Sequence, residues 1–177
     1  AATAAVAVST QVRPAAALSE RDLDALAGAT GSVTATSSSR AFDLPTVRAS
    51  QALDGHPDTA WIPGSPVVGA TLTITAPRRR VEAIGITQVA PGRGRLLDWA
   101  TRVLVSVDGR PGVVAAVGPG TTGVRIPATT ASRLAITILA THSGRPTALI
   151  RLSEVDFAGA RTSFLPAAAA VAGQDGD

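Results

Sequence analysis

Ten consecutive positions hold a disproportionate share of the residues able to do chemistry. The stretch "ALDGHPDTAW", Ala52 to Trp61, carries two aspartates, a histidine, a threonine and one of the two tryptophans of the chain. Asp54-Gly55 is a turn pair, with Gly55 free to take positive φ. His56 stands before Pro57 and is pushed to an extended step. A chain bent in this way can bring the Asp54 carboxylate, the carbonyls around His56 and the Thr59 hydroxyl toward one point. That is the environment of a hard cation, since calcium takes six to eight oxygen ligands and draws many of them from the backbone. A further carboxylate is needed from elsewhere, and Glu154 in "RLSEVDFAG" is the candidate. The plainer reading is a tight loop in which Thr59 satisfies its own backbone and Trp61 anchors the segment in the core.

Composition excludes several function classes. There is no cysteine, so disulfides, zinc thiolates and a cysteine nucleophile are out. All 16 basic residues are arginine, and lysine, methionine and tyrosine are absent, a bias expected of high-GC coding as in actinobacteria. The net charge is +3, and apart from Arg78, Arg79 and Arg80 the arginines are scattered. No basic stripe or reading motif marks a nucleic-acid binder. Arg78 to Arg80 read as a solvated strand start or, more sharply, as a contact for an anionic partner. His56 and His142 are the only histidines. No spacing marks an acid/base pair, and "PGRGR" lacks the lysine of a phosphate loop, so no catalytic residue is assigned. No apolar run approaches the roughly 18 residues of a membrane span. The opening "AATAAVAVSTQVRP" has no basic region ahead of its apolar part and does not read as a signal peptide.

The elements that must position these residues are short strands. "LSERDLDALAGATG" is the one helical signature, with Ser19 as cap, Glu20, Asp22 and Asp24 in the first turn and Gly28 as stop; a short helix and an ordered lead-in both fit. From Gly31 onward the chain alternates. Leu72 and Ile74, Ile84 and Ile86, Val103 and Val105 and Val107, and Leu134 and Ile136 and Ile138 each mark one face of a strand. Asp108-Gly109 closes a hairpin. Seven or eight short strands with Gly/Pro turns predict an all-β sandwich or jelly roll. Residues 1–30 read as a lead-in, 31–160 as the sandwich and 161–177 as a linker or tail, "TSFLPAAAAVAGQDGD" having lost the alternation.

"ALDGHPDTAW", then "VLVSVDG", then "RLSEVDFAG", in that order, resemble the discoidin or coagulation-factor type C family, which includes galactose-binding-like carbohydrate-binding modules. The likeness covers roughly residues 31–160. "FDLPTVRASQALDGHPDTAWIPG" and "SGRPTALIRLSEVDFAG" further resemble modules of the large membrane-bound arabinofuranosyltransferases of actinobacterial cell walls. The resemblance implies a galactose-binding-like β-sandwich with a structural calcium. Its ligands would be the Asp54 side chain, the His56 carbonyl, Thr59 through hydroxyl and carbonyl, and Glu154, with Ala52 adding a carbonyl. Trp61 is then core.

Modules of this family bind sugar with loops at one end of the sandwich. A ring stacks on the C–H face of the sugar and forked donors bond its hydroxyls. The loop residues available are Arg93, Arg95, Asp98 and Trp99 in "PGRGRLLDWATR" and His142 and Arg145 in "THSGRPT". For Trp99 the plainer alternative is packing at a strand start, and for His142 and Arg145 a solvated turn. The expectation is therefore a non-catalytic, extracytoplasmic module that binds cell-envelope glycan, arabinan- or galactan-like, as part of a membrane glycosyltransferase. The alternative is a structural domain docking against the rest of such an enzyme.

Overall fold

The computed structural model describes residues 18–89 and 97–165. One helix, α1 (Glu20–Leu26), precedes ten strands: β1 (Ala29–Thr30), β2 (Thr34–Ser37), β3 (Thr71–Gln88), β4 (Leu97–Asp98), β5 (Ala100–Val107), β6 (Val113–Ala116), β7 (Gly120–Thr141), β8 (Leu149–Ile150), β9 (Leu152–Asp156) and β10 (Ser163–Phe164). Three short 3-10 turns at Ala41–Asp43, Pro45–Val47 and Ala49–Ala52 fill the long connection between β2 and β3.

The expected all-β sandwich is present. Its main sheet runs β2-β3-β7-β5-β6, with β9 added along β3. Strands β3 and β7 are far longer than the periodicity suggested, because two expected pairs of strands have merged. "ATLTITAP" and "RVEAIGITQV" become one strand, as do "GVRIPA" and "SRLAITILAT". The β3–β7 ladder slips between Thr75 and Arg79 and again between Val81 and Ala83. Pro77 and Pro127, which lack an amide proton, sit in these irregular stretches. Bulges bend a strand, so both strands turn a corner here and fold the sheet over itself. Leu72 and Ile74 before the corner, and Ile84 and Ile86 after it, thus face the same core.

That core also holds Val103, Val105, Leu134, Ile136, Ile138, Leu152, Val155 and Phe157, all essentially buried. The corner sets two ends. Gln88 pairs with Gly120 and Ala100 with Thr141, which gathers Gln88, Asp98, Trp99 and the 141–149 connection at one end. Residues 76–82, 108–110 and 126–133 lie at the other.

Helix α1 forms with Ser19 as its cap, the hydroxyl accepting from the Asp22 amide at 3.2 Å. It is no loose lead-in. Glu20 accepts from the Ser37 hydroxyl at 2.7 Å and the Ala49 amide at 3.1 Å, and Asp24 from Ser50 and from Arg48, each at 2.6 Å. Of the segment expected to be a tail, residues 161–165 are described, and Ser163 and Phe164 pair with Thr30 and Ala29.

Candidate functional site

The loop from Asp54 to Thr59 folds as its turn residues require. Gly55 sits at φ 78°, and the Asp54 carboxylate accepts from the His56 amide at 2.9 Å. The Thr59 hydroxyl lies 2.8 and 2.9 Å from the two Asp54 oxygens, 2.8 Å from the His56 carbonyl and 3.3 Å from the Gln51 carbonyl. A hydroxyl has a single proton to donate, so it can satisfy one of these four acceptors; the Asp54 carboxylate also accepts from the His56 amide, and the His56 carbonyl from the Thr59 amide at 3.2 Å. The carbonyl that reaches it from the Ala49–Ala52 turn is that of Gln51, one residue before the expected Ala52.

Glu154 joins this cluster from β9. One carboxylate oxygen accepts from the Gly55 amide at 3.2 Å. The other is buried without a hydrogen-bond partner among the described residues, with the Arg161 guanidinium 3.5 Å away. Burial raises the Glu154 carboxyl above its ordinary range. Arg161 and the Gly55 amide oppose that rise, and the negative charges of Asp54 and Asp156 add to it. The cluster is thus rich in oxygen and carries two carboxylates. It fits a hard cation held largely by neutral oxygens. Among the described residues no group of three or more histidine, aspartate or glutamate side chains could hold a metal ion, so carbonyls and the hydroxyl must supply most of any shell.

Trp61 closes the loop from below. It is fully buried, exchanges backbone hydrogen bonds with Leu152 at 3.0 Å in each direction, and donates its indole N–H to the Ser39 carbonyl at 3.0 Å.

The second group lies at the loop end of the sandwich. Trp99 is half-buried, and the exposed His142 ring stacks on it with centroids 3.9 Å apart and planes 15° from parallel. The backbone supports the stack, the His142 amide donating to the Trp99 carbonyl at 3.0 Å. Asp98, expected among the sugar contacts, is 7% exposed and faces inward. It accepts from the Trp99 amide at 2.9 Å, from the Ser143 amide at 3.1 Å and from the Ser143 hydroxyl at 2.6 Å. Burial by itself would raise the Asp98 carboxyl; the donors from Ser143, Trp99 and Thr141 outweigh it and hold the group below its ordinary range. Asp98 therefore fastens the 141–144 turn beneath the Trp99–His142 stack. Arg145 is exposed on the same turn. Arg93 and Arg95 lie outside the described residues.

Sequence reasoning missed Phe42. Its side chain is 80% exposed, and both Phe42 and Asp43 take φ 52°. Left-handed backbone at non-glycine residues costs on the order of 1–3 kcal/mol and gathers at functional sites. Phe42 borders a hollow of about 270 Å³ lined also by Pro63, Gly64, Ser65, Thr147 and Leu149. A Cβ at Gly64 would stand 3.0 Å from the Arg40 carbonyl oxygen, a contact that the neighbouring backbone would have to yield to accommodate. The only sequence signal was "FDLP", an aromatic residue in a polar connection.

No protein-family model matches the chain, and no curated protein matches it by sequence. Solved structures do match by shape. Chitosan-binding module 1 from a chitosanase/glucanase of Paenibacillus sp. IK-5 superposes with TM-score 0.52 at 21% identity, over 73% of this chain and 95% of that one. The family 32 carbohydrate-binding module of NanJ from C. perfringens, in complex with galactose, gives 0.52 at 23% identity, over 70% and 90%. The arabinofuranosyltransferase AftD from mycobacteria gives 0.56 at 22% identity, over 76% of this chain and 12% of that one. The fold is that of the carbohydrate-binding modules. This chain matches those modules almost end to end, whereas it spans about an eighth of the transferase. The galactose-binding-like sandwich implied by the sequence motifs is therefore the observed architecture.

Proposed function

We propose that this chain is a non-catalytic carbohydrate-binding module recognising cell-envelope glycan of the arabinan or galactan type, outside the membrane and within a larger glycosyltransferase. The observation that carries the reading is the loop end of the sandwich, where the exposed Phe42 with its hollow and the Trp99–His142 stack flank one turn, residues 141–149. A sugar laid there would meet a π-face on its C–H side. Arg145 would donate to its hydroxyls, and Asp98 would keep the turn in place. Similarity to modules that include a galactose complex supports this reading, as does the likeness to an arabinofuranosyltransferase. Among the described residues no helix is long and apolar enough to cross a membrane.

The oxygen cluster supports a structural calcium. Asp54, the carbonyls of His56 and of Gln51 or Ala52, Thr59 and Glu154 would hold it. When bound it supplies positive charge that ties the 51–59 loop to β9.

A glycan-array screen tests the function. Arabinan or galactan fragments should be retained and unrelated glycans should not. A second reading, docking against the catalytic part of a transferase, draws on the fact that His142 already covers one face of Trp99. It would be favoured if no glycan bound while a transferase catalytic region did.

A further inference from the structure

The imidazole of His142 occupies the place that a sugar stacked on Trp99 would need. The two rings are near-parallel, 15° apart, with centroids separated by 3.9 Å. Carbon atoms in contact sit about 3.5–4.0 Å apart, so nothing fits between the rings. Strand alternation turns Trp99 toward this position. Asp98 and Ala100 on either side of it are buried, so the indole between them points out of the loop end. Phe42, exposed at the same end, carries no stacked ring among the described residues.

The cover is loose while its base is fixed. The His142 amide donates to the Trp99 carbonyl at 3.0 Å. The Ser143 amide and hydroxyl donate to Asp98 at 3.1 and 2.6 Å, and the Gly144 amide to the Thr141 hydroxyl at 3.0 Å. Gly144 takes φ 68°, the left-handed step that turns the chain back. None of these bonds uses the imidazole. Among the described residues the nitrogens of neither ring make a hydrogen bond or ion pair, and His142 is exposed. The imidazole is therefore held by the stack alone. It can swing about its own side-chain torsions and leave the turn intact, as exposed side chains do within picoseconds to nanoseconds. The swing uncovers an indole face beside an indole N–H that has no acceptor among the described residues.

We propose that His142 is a lid on Trp99: in the free protein its ring stands in for the sugar, and a glycan binds by replacing it. The inference rests on the glycan-binding reading above and adds the state of the site before ligand arrives. A lid subtracts from affinity. A pair held by stacking alone favours the closed form by roughly fivefold, and the observed affinity falls by about the same factor because only the open form binds. The lid also selects. A ligand with a broad C–H face outcompetes the imidazole for the indole, and one that offers hydroxyls alone does not.

The test compares wild type, His142→Ala and His142→Phe. Calorimetry with an arabinan or galactan oligosaccharide reads affinity, and acrylamide quenching of tryptophan emission reads the cover without any glycan. His142→Ala removes the lid, so its affinity should rise about fivefold. Its emission should also become more quenchable at Trp99, since Trp61 is buried. His142→Phe keeps a stacking ring and should match wild type in both measurements. Weaker binding by His142→Ala would make the imidazole a sugar contact and overturn the lid. Equal affinities, or equal quenching in all three proteins, would overturn it as well and leave glycan binding standing. If no protein of the three bound any glycan, the glycan-binding reading would fall and the lid with it.

Discussion

Two aspartates sit beside the two tryptophans, and their surroundings are opposite in kind. Asp98 meets amide and hydroxyl donors at both oxygens and is held in its charged form. Asp54 meets one amide and one hydroxyl, while that hydroxyl is shared among four oxygens beside a second carboxylate. The first site is electrostatically complete. The second is crowded with oxygens, and burial raises the carboxyl of its neighbour Glu154, Asp54 and Asp156 adding to the rise and Arg161 and the Gly55 amide opposing it. A carboxylate saturated with donors holds structure, whereas the oxygen cluster around Thr59 is where the proposed calcium would sit. The tryptophans divide similarly, Trp61 in the core and Trp99 at the edge of the loop end.

The tryptophans give the largest expected contrast. Trp61→Ala should cost about 3–5 kcal/mol in urea unfolding, the usual cost of emptying a buried aromatic site. Trp99→Ala should cost about 1 kcal/mol, the worth of a ring stack, because part of its surface already faces water. Similar costs for both would erase the distinction between core and binding surface.

The aspartates should separate next. In chelator, Asp98→Ala should destabilise by about 2–3 kcal/mol, since it leaves the Ser143 and Trp99 donors without their charged acceptor. Asp54→Ala should cost no more than about 1 kcal/mol under the same conditions, because it also relieves repulsion on Glu154. With calcium at a hundredfold excess over its Kd, the wild type should gain about 2.7 kcal/mol and Asp54→Ala should gain almost nothing.

The smallest effect is in pH, and its sign follows from Glu154. The folded carboxyl lies above its unfolded value, so without a cation the fold gives up stability as pH rises from the ordinary carboxylate range through the raised one. Protons compete with a cation for the same oxygens. The calcium gain should therefore be full above this window and fade as pH drops through it. Thermal melting with calcium and with chelator across that range reads this directly, and a gain independent of pH would remove Glu154 from the site.

Much of this was legible in the sequence because it is local. Alternation at Leu72, Ile74, Val103, Val105, Leu134 and Ile136 marked the core faces, and Asp54-Gly55 marked the loop. Ser19 and its acidic first turn announced α1, although Glu20 and Asp24 turned out to serve Ala49 and Ser50 rather than the helix alone. The long bent strands were hidden, since a corner is set by the register between β3 and β7 and not by either strand's own pattern. The inward turn of Asp98 depends on Ser143, 45 residues away, and no spacing encodes that. Phe42 was invisible for the same reason, because its exposure and left-handed backbone arise from packing around Gly64 and the Ala41–Asp43 turn.

Glycan recognition at the loop end can be read from intrinsic fluorescence, because Trp61 is buried and Trp99 is partly exposed. Titration with an arabinan or galactan oligosaccharide should change the emission of the wild type saturably. Trp99→Phe should lose the signal, and Phe42→Ala should weaken binding by roughly tenfold, the worth of one stacked ring. An emission spectrum that ignores every envelope glycan, or binding unchanged by Phe42→Ala and Trp99→Ala alike, would contradict the account.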